Sequence, residues 1–117
     1  MGYSAKWDDL PECEVLPNNF RKSVAGLKAG VNLIKWVHPT KLPLHQHDDS
    51  EQVMLLLKGK IKMVVGEEEL ILEKDHVCVI PAATPHCGES LDGDALFYEV
   101  FAPMRVQNLI GFLGKIF

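Results

Sequence analysis

Arginine is scarce in this chain, with Arg21 and Arg105 alone among twelve basic residues. An arginine inside a candidate site therefore carries weight. Cysteine is nearly as sparse. Cys13, Cys78 and Cys87 are odd in number and match no Cys-x-x-Cys spacing, so a reducing compartment is expected rather than a disulfide framework. Long apolar runs are also missing. The longest, Val53 to Leu57, falls far short of the roughly 20 residues that span a bilayer, and the opening Met-Gly-Tyr-Ser-Ala-Lys-Trp has no signal-like core. A cytoplasmic protein without a membrane partner is the expectation. There is no dense basic stripe, and the net charge is −4, so no nucleic-acid partner is expected either.

What remains is an ordinary globular composition, 47% hydrophobic and 24% charged over 117 residues. That suits one domain able to bury a core without staples. Residues 1–19 are polar, with Pro11, Pro17 and Asn18-Asn19, and read as an N-terminal arm. Over 20–105 short β-prone runs alternate with turn residues: Ser23–Ala25, Val31–His38, Gln52–Leu57, Lys60–Val65, Leu70–Leu72, Val77–Ile80 and Ala95–Phe101. Leu57–Lys60 and Val65–Glu68 read as tight turns between neighbouring antiparallel strands. The fold class is all-β, a sandwich or barrel. In 106–117, Val106, Leu109 or Ile110, Leu113 and Phe117 recur near helical spacing, which predicts a C-terminal packing or dimer segment.

Chemistry concentrates on histidine. In an extended chain residues i and i+2 share a face, so His45 and His47 point the same way. Two such imidazoles with a distant third suit a divalent transition metal. The alternative is a pair of surface histidines, since Asp48-Asp49-Ser50 follows at once. The wider pattern is His45-x-His47, four residues, Gln52, six residues, Gly59, then Pro81-x-Ala83, two residues, His86. It resembles the two motifs of the small single-domain cupins. The resemblance implies a double-stranded, jelly-roll-like β barrel over about 20–105, with one metal ion on His45, His47, Gln52 and His86.

Several positions depart from the family pattern. Asp75 and Ala83 stand where the family carries glycines, and Gln52 where it most often carries an acid. Glu51 is the neighbouring acid, but strand alternation sends it to the opposite face. Three neutral imidazoles and an amide leave the ion's charge uncompensated, which favours a small anionic substrate. Zn, Ni, Mn and Fe all accept such ligands. His38 and His76 lie off the template and read as surface residues. Cys78 and Cys87 are read as inert.

Glu99 and Phe101 share one strand face, and Arg105 follows Pro103. If that face lines the barrel, the acid is inside and the arginine at the mouth. Alternation alone equally allows an outward acid, a core Phe and a surface Arg. The run acid-x-Phe-x-Pro-x-Arg behind a His-x-His-x4-Gln motif resembles the KdgF-type cupins of pectin and alginate breakdown. Those enzymes convert cyclic 4,5-unsaturated uronates to the linear keto acid. The resemblance implies that Glu99 moves a proton, Phe101 packs on the sugar ring and Arg105 binds the carboxylate. Their acid is Asp, so Glu99 adds one methylene. Another metallocupin enzyme, such as a dioxygenase or isomerase, and a non-catalytic cupin binding a small carboxylate stand as alternatives. Cupins commonly pair, so a homodimer is expected.

Overall fold

A computed structural model describes residues 4–104. Arg105 and the expected segment 106–117 lie outside the described residues. After a short 3-10 turn at Trp7–Asp9 come ten strands: β1 Cys13–Leu16, β2 Asn19–Ala25, β3 Gly30–Trp36, β4 Lys41–His45, β5 Glu51–Lys58, β6 Ile61–Val65, β7 Glu68–Leu72, β8 Val77–Ile80, β9 His86–Ser90 and β10 Ala95–Ala102. They form a six-stranded sheet, β1-β2-β3-β10-β5-β8, and a four-stranded sheet, β4-β9-β6-β7. All strand pairs are antiparallel. Among the described residues no helix is long and apolar enough to cross a membrane.

Alternation decides which side chains fill the space between the sheets. Along β5, Gln52, Met54 and Leu56 are buried while Glu51 and Leu57 are exposed. Across the six-stranded sheet the register stacks inward residues in rows. Arg21, Ile34, Phe97 and Leu56 form one row, and Ser23, Asn32, Glu99, Met54 and Cys78 the next. The apolar ends of these rows meet Ile61, Met63 and Leu72 from the other sheet, with Trp36 and Ile80, in one core. The other ends are polar. The barrel is thus apolar on one side and polar on the other.

The sequence reading missed β1, β4 and β9 and started β2 four residues late. Pro43 within β4 and Gly88 within β9 suppress strand propensity. Gly88 is required by packing, because a Cβ there would collide with Met63 Sδ and lie 3.0 Å from the Lys62 carbonyl. Residues 13–16, read as part of an arm, pair with β2. The turn at Val65–Glu68 does join paired strands, β6 and β7. The turn at Leu57–Lys60 does not. It carries the chain from one sheet to the other, because β5 pairs with β10 and β8, and β6 with β7 and β9. Gly59 makes this crossing at φ +87°, so close to the backbone of Asp94 and Ala95 that no Cβ fits.

Candidate metal centre and its cavity

The histidine site rests on the four-stranded sheet and the loops at its end. His45 closes β4 and His86 opens β9, and the two are directly paired in register. His47 lies just beyond β4. Its carbonyl accepts the Ala83 N–H at 2.6 Å, which ties the loop after β4 to the loop before β9. Ser50 Oγ donates to the Pro103 carbonyl at 2.9 Å and anchors the other end of the first loop. Ligand atoms of His45, His47 and His86 all lie within 4.8 Å of one another. That is close enough to be compatible with one shared ion, which holds imidazole nitrogens about 2 Å away.

Hydrogen bonding sets which nitrogen faces the cluster. His45 Nδ1 lies 2.7 Å from the Pro43 carbonyl, and His86 Nδ1 lies 2.8 Å from the Thr84 carbonyl. A carbonyl only accepts, so each Nδ1 carries the proton and each neutral ring keeps its lone pair on Nε2. This is the usual way a protein orients a metal-binding histidine. His86 Nε2 is buried and has no hydrogen-bond partner. Burial lowers the His86 pKa from 6.5, the Thr84 bond pulls it back up, and His45 lowers it further. A buried, neutral, unpartnered imidazole nitrogen fits a metal ion well, since leaving it unused costs about 1–3 kcal/mol of desolvation.

The six-stranded sheet supplies the facing wall. Gln52 is buried at 2% exposure. Its Nε2 donates to Glu99 Oε2 at 2.6 Å, and its Oε1 is buried without a donor. Phe101 pairs with Gln52 in register and meets the His47 ring edge-on, with centroids 5.4 Å apart. A cavity of about 250 Å³ is lined by His45, His47, Glu99, Phe101, Arg21 and Asn19, among others. Burial raises the Glu99 pKa, while Arg21, Asn32 and Gln52 pull it down. Asn32 on β3 is the register partner of Glu99 on β10. A desolvated carboxyl with polar neighbours in a cleft is suited to proton exchange.

The structure therefore brings together His45, His47, Gln52, His86, Glu99 and Phe101. Glu99 lines the cavity, and Glu51 is exposed on the other side of its sheet. His38 and His76 are exposed and apart from the cluster. Cys78 is buried in the apolar part of the core, where desolvation raises its thiol pKa. Cys87 lines a wider groove of about 450 Å³ on the outer face of the four-stranded sheet, with Lys41, Pro43, Lys62 and Val64. Sequence reasoning missed Arg21 and Asn32. Both alternate correctly with their neighbours, but β2 was begun at Ser23, which left Arg21 outside any strand.

Residues 36–101 match the family model of the cupin domain. The chain belongs to the cupin family. No curated protein sequence matches it significantly. Among solved structures this cupin is similar to KdgF from a Halomonas species, with a TM-score of 0.86 and 23% identity over 92% of this chain and 98% of that one. An RmlC-like cupin from Shewanella frigidimarina gives a TM-score of 0.84 at 13% identity, covering 92% of this cupin and 96% of its own length. A sugar phosphate isomerase of the cupin superfamily from Silicibacter pomeroyi gives 0.75 at 15% identity, covering 87% and 76%. Likeness at these identities establishes the shared barrel. The three histidines are compatible with a metal ion of undetermined identity.

Proposed function

We propose that this cupin is a metal-dependent enzyme that opens the ring of a 4,5-unsaturated uronate to give the linear keto acid. The observation that carries the reading is Glu99. Its carboxyl, hydrogen-bonded to Gln52, shares one cavity with His45, His47 and Phe101. Similarity to KdgF, together with the run Glu99-x-Phe101-x-Pro103-x-Arg105, adds support.

Ring opening needs one proton removed and one supplied. Glu99 takes the proton from the anomeric hydroxyl as that oxygen forms the carbonyl and the ring C–O bond breaks. The departing ring oxygen leaves as an enolate, which becomes the ketone when Glu99 returns the proton to the alkene carbon. Glu99, with a pKa raised by burial, is suited to both directions of transfer. A divalent ion held by His45, His47, Gln52 and His86 would polarise a substrate oxygen at the ring-opening centre. Phe101 offers a flat apolar wall to the ring. Arg21 provides a cation within the cavity, and Arg105, beyond the described residues, is assigned to the substrate carboxylate on the strength of the motif alone.

The test follows the ultraviolet band of the conjugated alkene in an unsaturated galacturonate incubated with metal-loaded protein. The band should disappear well above the spontaneous rate. Glu99→Gln should slow that loss about 10²-fold or more, the lower end of what general acid–base catalysis contributes. Wild-type protein that leaves the spontaneous rate unchanged overturns the proposal.

A further inference from the structure

We propose that Glu99 is also a positioning residue for the metal centre, holding the Gln52 amide with its oxygen toward the ion. The inference rests on the metal-site reading and is independent of which substrate is used.

A glutamine amide has two ends of nearly equal size and opposite function. Only Oε1 can ligate a cation. With Nε2 turned inward instead, the same residue would present two N–H groups to the ion and be repelled. Nothing in the amide itself chooses between these orientations, so a neighbour must. Glu99 is that neighbour. Gln52 Nε2 lies 2.6 Å from Glu99 Oε2, a short bond that leaves Nε2 committed to the carboxyl. The opposite rotamer would set Oε1 against the carboxylate. Gln52 Oε1 is meanwhile buried with no donor, as is His86 Nε2 across the barrel. The register explains how Glu99 reaches Gln52. Glu99 pairs with Met54 and Phe101 with Gln52, so Glu99 and Gln52 are diagonal neighbours on the inner face.

The same geometry accounts for an amide at position 52. A carboxylate there would stand within hydrogen-bonding distance of Glu99, two like charges in a desolvated wall. Glutamine turns that repulsion into a bond and still leaves one oxygen for the ion. Removing such an outer partner typically weakens metal affinity 10–100-fold.

The experiment is a Co²⁺ titration of the full chain, read by the visible absorption of the bound ion. Glu99→Leu should weaken binding by about tenfold. Glu99→Gln retains an oxygen that accepts from Gln52 Nε2 and should stay within about threefold of wild type. Gln52→Ala should weaken binding at least as much as Glu99→Leu, and adding Glu99→Leu to Gln52→Ala should change little, since Glu99 acts through Gln52. If Glu99 acted only as a nearby negative charge, Glu99→Gln would lose as much as Glu99→Leu, and the loss would persist in the Gln52→Ala background. Either result overturns the inference, as does a Glu99→Leu affinity within twofold of wild type. Failure of the wild type to bind Co²⁺ would instead overturn the metal site itself. The uronate assay stands apart from all of these outcomes.

Discussion

Trp36 and Phe97 meet edge to face, with ring centroids 5.1 Å apart and planes at 87°. Both are 1% exposed, and both line the cavity that His45 and His47 enter. The pair therefore belongs to the core and to the floor of the site at once. Truncation of a buried Phe removes its apolar burial and leaves a hole beside the Trp. Phe97→Ala should cost about 3–5 kcal/mol, measured as a lower urea midpoint at unchanged slope. A cost under about 1 kcal/mol would mean that the ring packs less tightly than its burial implies.

A metal ion held by the three histidines should stabilise the folded chain. An ion that binds only the folded chain stabilises it by about 2.7 kcal/mol at a hundred times its Kd. For a domain of this size that raises Tm by roughly 10–20 °C, at about 4–8 °C per kcal/mol. Added Zn²⁺ or Co²⁺ should raise the Tm of chelator-treated wild type, and His86→Ala should lose most of that rise. Equal rises in both proteins would place the ion elsewhere.

The metal-free protein should weaken in mild acid. Burial holds the His86 pKa below 6.5 in the folded state, so the unfolded chain binds its proton first. The stabilising contribution is complete above the ordinary value and is lost as pH falls through the folded one. Glu99 has the opposite sign, because its raised pKa means stability is lost as pH rises through the folded value. Guanidinium unfolding of Glu99→Gln protein between pH 7.5 and 5 isolates the histidine. Its stability should fall with pH, and the fall should flatten once His86→Gln is added.

Ala83 stands in a left-handed conformation, φ 59°, in the loop whose N–H reaches the His47 carbonyl. An L-residue with a Cβ pays about 1–2 kcal/mol there, and glycine does not. Part of the gain is offset by the freedom glycine adds to the unfolded chain. Ala83→Gly should therefore raise stability by up to about 1 kcal/mol, seen as a Tm higher by several degrees. A lower Tm would show that the loop is held by more than its backbone angles.

The metal motif was legible because parity in an extended strand is a local property. His45 and His47 share a side, and Gln52 rather than Glu51 points inward, whatever pairs with them. Asp75 and Ala83 stand where the family carries glycines, and both adopt positive φ, 70° and 59°. The backbone requirement thus persists here without the residue that meets it most easily. What could not be read is pairing. The crossing at Gly59 looks like a hairpin from its residues alone, and only the register with β10 and β8 shows that it is not. Arg21 escaped for a related reason. Its place in the cavity follows from a cross-strand row with Ile34 and Phe97, and no local window contains that row.

The six-stranded sheet presents apolar side chains at one end of its inner rows and polar ones at the other. The residues that hold the barrel closed, such as Met54, Leu56, Ile61 and Met63, are largely separate from the polar residues that line the cavity. Positions 21, 23, 32 and 99 can therefore be exchanged for other polar groups of similar size without opening a hole in the packed half. A lineage of such barrels has room to change its chemistry by a few steps on one face and keep its architecture. That division of labour makes this scaffold inexpensive to repurpose.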